Sequence, residues 1–161
     1  MTDPAEASVR QQLDELGIVH EIIACDPELA DTAQFCEAYG YAPEDSANTI
    51  VVVGKSTPAV YAACVVLATT RLDVNGVVRR RLGARKASFA SADETKNITG
   101  MLIGGVTAFG LPAELPLWVD AAVLDRERIV LGGGSRSCKL VVAPSALLDV
   151  PKAEVVDQLA K

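Results

Sequence analysis

No uncharged apolar run in the 161-residue chain approaches the roughly 20 residues that cross a bilayer, although half of the residues are hydrophobic and the mean hydropathy is +0.26. A soluble protein with no membrane partner is therefore expected. The opening MTDPAEASVR has acids where a secretory leader carries bases, and no apolar segment follows it directly, so a cytoplasmic location is expected. Histidine is limited to His20. The four cysteines, Cys25, Cys36, Cys64 and Cys138, form no CxxC pair and no grouping with that histidine at zinc-ligand spacing, which excludes the usual structural zinc motifs. No metal or cofactor is expected. Bases are almost missing from residues 1 to 48, where Arg10 alone stands against eleven acids for a balance of −10; residues 49 to 161 hold fourteen bases and ten acids, a balance of +4. Repeats, low-complexity tracts and linkers are absent, so one domain spanning residues 1–161 is expected. A protein of that size buries roughly two-thirds of its unfolded surface.

The standard nucleotide-phosphate motifs are missing as well. GMLIGGVTAFG (100–110) is rich in glycine, but it lacks GxGxxG and the Lys-Ser/Thr ending of a P-loop. No nucleophilic side chain has an adjacent base. Cys64 sits within VYAACVVLA as a buried thiol, Cys138 is assigned to packing, and His20 in IVHEII alternates with apolar residues on a strand, facing solvent. Water is thus the expected attacking group in any hydrolysis.

Three features remain. RRRLGARK places Arg79, Arg80, Arg81, Arg85 and Lys86 together; it is either a phosphate-holding cluster or a solvated helix face. Gly104 and Gly105 either aim main-chain N–H groups at a carbonyl or oxyanion or simply make a tight turn. LGGGSRSCK presents Gly134, Ser135 and Arg136 between two strands, as an anion site or as a long hairpin with a surface arginine.

Periodicity and capping signals predict a helix over 4–16 capped by Asp3 and ended by Gly17, a strand in IVHEIIAC, and a helix over 31–39 stopped by Gly40. TIVVVGK and AVYAACVVLA are expected to form a hairpin, apolar on both faces and central in a covered sheet. VNGVVRRRLG is expected to be a short helix capped by Asn75. KASFA is a strand, and SADETKNITG is a helix with a Ser91/Glu94 capping box and a C-terminal Gly100. LWVDAAVLD, RIVLGG and KLVVAP are predicted strands, followed by a helical region from Pro144 that includes AEVVDQLA. These elements predict an α/β (α+β) fold with a mixed, mainly antiparallel sheet and packed helices.

From about His20 to Leu148 the sequence resembles the YbaK/ProX family of aminoacyl-tRNA editing domains, related to the editing insertion of prolyl-tRNA synthetases. The resemblance rests on SANTIVVV, RLDVNGVVRRRLGARKASFAS, TGMLIGGVTAFGLP, LWVDAAV and GGGSRSCKLVVAP, all in the family's order. It implies a barrel-like mixed sheet, hydrolysis of mischarged aminoacyl-tRNA in trans, no metal, and a cleft for the 3′ acceptor end; an aminoacyl-tRNA synthetase is the second implied partner. The family's Gly-x-x-x-Pro loop aligns with Gly104, Gly105, Val106, Thr107 and Ala108, with alanine in place of proline. Its orienting lysine aligns with Asn48, which has no charge. On this resemblance Asn48, Gly104, Gly105 and Thr107 are the expected catalytic residues. Thr49, Val106, Ala108, Phe109, Gly134, Ser135 and Arg136 are expected to bind substrate, and Arg79, Arg80, Arg81, Arg85 and Lys86 to hold phosphate.

Overall fold

A computed structural model describes residues 3–161. Helix α1 (Pro4–Glu15) starts where Asp3 Oδ1 accepts the N–H groups of Ala5 at 2.8 Å and Glu6 at 3.3 Å. A twelve-residue helix is marginal by itself in water. Val9 and Leu13, one turn apart and fully buried, anchor it with about 1.5–3 kcal/mol each. The remaining elements in sequence order are β1 (His20–Ala24), α2 (Thr32–Tyr39), β2 (Ala47–Gly54), β3 (Val60–Leu67), α3 (Arg79–Leu82), β4 (Ala87–Phe89), α4 (Ala92–Thr99), β5 (Leu117–Asp120), β6 (Ile129–Gly132), β7 (Cys138–Val142) and β8 (Ala153–Val156).

The strands form two sheets. One is antiparallel in the order β1-β7-β6; the other has the order β4-β2-β3-β5-β8, antiparallel at β4-β2-β3 and parallel at β3-β5-β8. The expected mixed, mainly antiparallel architecture is present, but as two sheets with no closed barrel. A lone parallel bridge, Ser46 to Val130, ties one to the other.

Strand alternation assigns side chains to three apolar layers. Ala63 and Val65 of β3 join Leu117, Leu131, Leu140 and the α1 anchors in the main core between the sheets. Ala62, Cys64 and Val66 face the other way, against Val78, Trp118 and Leu159. The hairpin is therefore covered on both faces, as its unbroken apolar run predicts. A third cluster, Cys25, Ala30, Phe35, Val130 and Val141, seats α2 on the outside of the three-stranded sheet.

Local readings are corrected at four places. The turn at Val74–Val78 before α3 is capped by Asp73, whose carboxylate accepts from Gly76 and Val77 N–H; Asn75 lies inside the turn. LWVDAAVLD is strand only to Asp120 and then a 3-10 turn over Ala121–Asp125. AEVV, expected in a helix, is β8, because its valines complete a parallel ladder beside β5. His20 is half-buried, with Nδ1 2.9 Å from the Ile18 carbonyl. The Ser91/Glu94 capping box of α4 is present in both directions.

Candidate functional site

Strand β2 pairs with β3 along its whole length but with β4 only from Val52 to Gly54. Between the Ser46–Val130 bridge and the β4 pairing, the strand therefore keeps an open edge around Thr49 among the described residues. The Ala90 N–H donates to the Val51 carbonyl at 2.9 Å, away from β3. By antiparallel alternation the N–H and C=O of Thr49 point the same way. At this edge lies a cavity of about 370 Å³, walled by Thr32 and Phe35 of α2, Asn48 and Thr49 of β2, Phe89 of β4, Ile103 and Gly104 of the loop after α4, and Lys139 of β7.

The glycine wall is built by backbone packing on backbone. A methyl group on Gly105 would meet the Ser135 backbone, and one on Gly132 would meet Val106 O and the Gly105 backbone. Gly134 N–H donates to the Gly105 carbonyl at 2.8 Å. The loops 100–110 and 132–136 are thus in direct contact, and only Gly104 and Val106 of the pair Gly104–Gly105 and its flank reach the cavity beside Ile103. Gly104, at φ +97°, lets the backbone pass beside the Arg136 guanidinium. Arg136 holds the loop through Nη1 to the Ile103 carbonyl (2.9 Å) and Asp31 Oδ1 (3.2 Å), and through Nε to the Pro27 carbonyl (3.1 Å).

Polar groups in the cavity are few. Asn48 Oδ1 accepts from Thr32 Oγ1 at 2.8 Å. Thr49 Oγ1 is buried without a partner among the described residues, an arrangement that native proteins keep rare. Lys139 is 7% exposed; its ammonium donates to the carbonyls of Ala30 (2.6 Å) and Gly104 (3.0 Å) and lies 5.6 Å from the Phe35 ring centroid. Burial, and to a lesser extent the like charge of Arg136, pushes this ammonium below the ordinary lysine value, while Cys25, Asp31 and Cys138 pull the other way.

The placement of the expected residues is uneven. Asn48, Thr49, Gly104 and Val106 line the cavity. Gly105 does so only indirectly: its N–H donates to the Leu102 carbonyl at 2.9 Å and is unavailable to a ligand. Ala108 and Phe109 are fully buried in the main core, and Thr107 is fully buried with its Oγ1 unpartnered among the described residues; none of the three lines the cavity. Gly134 and Ser135 turn toward α1 instead, where Ser135 Oγ donates to Glu6 Oε1 at 2.6 Å. Arg136 lies behind Gly104 as the clamp described above.

The basic cluster is outside this cavity and beside a second one of about 480 Å³, lined by Arg71, Asp73 and Asn75 and sharing Asn48, Ile50 and Phe89 with the first. Arg79 Nε donates to the Asn75 carbonyl at 2.9 Å, and Arg81 pairs with Glu154 over the Trp118 ring. Arg80, Arg85 and Lys86 are exposed. Phe89, 56% exposed, forms the rim between the two cavities. All four cysteines are buried; burial raises the Cys64 thiol to about 12, and burial with the Glu6 contact raises Cys138 to about 11. Cys64 and Cys138 are therefore held as neutral thiols, not as nucleophilic thiolates.

Sequence reasoning missed Lys139, Thr32 and Phe35. A signal existed for the lysine, since a single cation inside the apolar strand KLVVAP must be buried with partners. None existed for Thr32 and Phe35, which tertiary packing brings across from α2.

A family model described as an aminoacyl-tRNA editing domain matches residues 26–150. Among solved structures, one described only as a hypothetical protein superposes with a TM-score of 0.83 at 24% identity, spanning 93% of this sequence and 97% of its own. Another, described as a candidate trans-editing enzyme for prolyl tRNA synthetase, gives 0.82 at 23% identity and spans 98% of both proteins. At these identities the likeness is one of fold. No helix among the described residues is long and apolar enough to cross a membrane.

Proposed function

The protein belongs to the aminoacyl-tRNA editing domain family, and on that premise we propose that it is an aminoacyl-tRNA deacylase that hydrolyses the ester of mischarged tRNA in trans. The observation that carries this reading is the convergence of a few polar groups on one mainly apolar cavity: the strand edge at Thr49, the Asn48 amide, and the Gly104 backbone. An apolar cavity with a few directed polar groups suits a small acyl group. The 3′-terminal nucleotides then run over the Phe89 rim into the second cavity, toward the phosphate-holding arginines Arg79 and Arg80. Water attacks the acyl carbon. The residues act in one domain, in the cytoplasm, downstream of a synthetase that attaches the wrong amino acid. A neighbour of the same length and fold, described as a candidate trans-editing enzyme for prolyl tRNA synthetase, is consistent with a protein that acts in trans.

Single-turnover deacylation of a panel of mischarged tRNAs tests the reading. The expected result is acceleration over spontaneous hydrolysis for at least one member; a rate equal to the spontaneous one for all of them rejects it. A second reading, tRNA-end binding without turnover, draws on Asn48, which is uncharged and whose Oδ1 already accepts from Thr32. It requires salt-dependent tRNA binding by a silent protein in which Asn48→Lys creates activity.

A further inference from the structure

Among the residues lining the first cavity, Lys139 is the only cation, and it enters from β7. An ammonium has three N–H donors. Two are occupied, by the carbonyls of Ala30 and Gly104, and among the described residues no protein oxygen takes the third. The same two bonds tie the segment entering α2 to the glycine loop, so the head group is fixed between both walls. Its surroundings are the Phe35 ring, Asp31 paired with Arg136, and the Cys25 thiol.

We infer that Lys139 directs its free N–H at the acyl carbonyl oxygen and supplies, from β7, the positive charge that is missing at Asn48. The inference rests on the deacylase reading and assigns a residue that the family alignment does not. In the reaction, water oxygen bonds to the acyl carbon while the carbonyl π electrons move onto oxygen. Lys139 stabilises that oxyanion. Collapse restores the C=O and breaks the bond to the ribose oxygen, which takes up the proton released by water; the products are a free amino acid and deacylated tRNA. A charge-assisted donor in a dry site is roughly twice as strong as a neutral one.

Lys139→Gln keeps amide donors for Ala30 and Gly104 but removes the charge, and Lys139→Arg keeps the charge. The expected result for Lys139→Gln is a drop in the single-turnover rate of about 10²-fold with KM changed less than about threefold. Recovery of at least about tenfold is expected both in Lys139→Arg and when Asn48→Lys is added to Lys139→Gln. Two stable adenosine probes test the same point without turnover, one with the 3′ ester replaced by a planar alanylamide and one by a tetrahedral 1-aminoethylphosphonate anion. Calorimetry should show Lys139→Gln weakening the anion by at least about tenfold and the amide by less than about threefold.

The inference is overturned if Lys139→Gln hydrolyses as fast as the wild type, if rate and amide binding fall together with the melting temperature, or if the wild type binds the anion no better than Lys139→Gln does. A wild type that hydrolyses nothing yet binds the anion in a Lys139-dependent way rejects the deacylase reading, and with it the catalytic role of Lys139, while keeping Lys139 as the anion-holding group of the cavity.

Discussion

Replacing Gly105 with alanine tests the construction of the glycine wall. A Cβ at this position would lie closer than 3.0 Å to the carbonyl carbon, the carbonyl oxygen and the Cα of Ser135, and backbone on that side cannot swing away as a flexible side group can. The two loops must part, which breaks the 2.8 Å bond from Gly134 N–H to the Gly105 carbonyl. Overpacking costs about 1–3 kcal/mol, and leaving a buried pair unmade costs about 1–3 kcal/mol more. A total of about 2–6 kcal/mol is expected, a large part of the usual 5–15 kcal/mol of a domain. Gly83→Ala is the control: φ is +67° there with nothing within 4 Å, so only the left-handed backbone is penalised, at about 1–2 kcal/mol. Urea unfolding followed by fluorescence of Trp118, the single and buried tryptophan, measures both. Because Gly104 adjoins the displaced peptide, deacylation should fall as well. If Gly105→Ala costs no more than Gly83→Ala, the loops do not pack as described.

Thr49→Val removes a buried hydroxyl that has no partner among the described residues, so stability should hold or rise by about 1 kcal/mol in urea unfolding; a loss of that size would show that the hydroxyl is hydrogen-bonded in the folded protein. The Ser91 N–H and then the Tyr61 hydroxyl hold the Glu94 carboxyl below its ordinary value of 4.5. Its folded-state pKa is depressed, so its contribution is complete above pH 4.5 and is lost as pH falls through the lower folded value; the stability gap between wild type and Glu94→Gln should close over that acid window. The thiols of Cys64 and Cys138, raised to about 12 and about 11, stay protonated at about pH 8. Mass spectrometry after native iodoacetamide treatment should find both unmodified, and rapid alkylation of either would show that it is neither buried nor protonated.

Much of the local structure was legible. Asp3, Gly40, Ser91 with Glu94, and Gly100 mark helix ends through hydrogen bonds within a few residues of themselves, which sequence spacing can specify. The doubly apolar hairpin was legible because β2 and β3 are covered on both faces. The misses are places where a distant partner decides. AEVV became a strand because β5 offers it a ladder, and Asp73 rather than Asn75 caps the turn because its carboxylate reaches the two free N–H groups.

The site divides in the same way. The sequence by itself determined the family, the glycine-rich loops, the arginine-rich stretch and an uncharged asparagine at position 48, all of which are properties of contiguous residues. Only the tertiary structure decided that Thr107, Ala108 and Phe109 are buried outside the cavity lining, that Arg136 clamps a loop, and that Lys139 lies at the cavity, 35 residues along the sequence from the Gly104 it holds. A loop's composition fixes how closely backbone can approach. Which groups then meet depends on two sheets packing face to face, and that arrangement is encoded in no short stretch of residues.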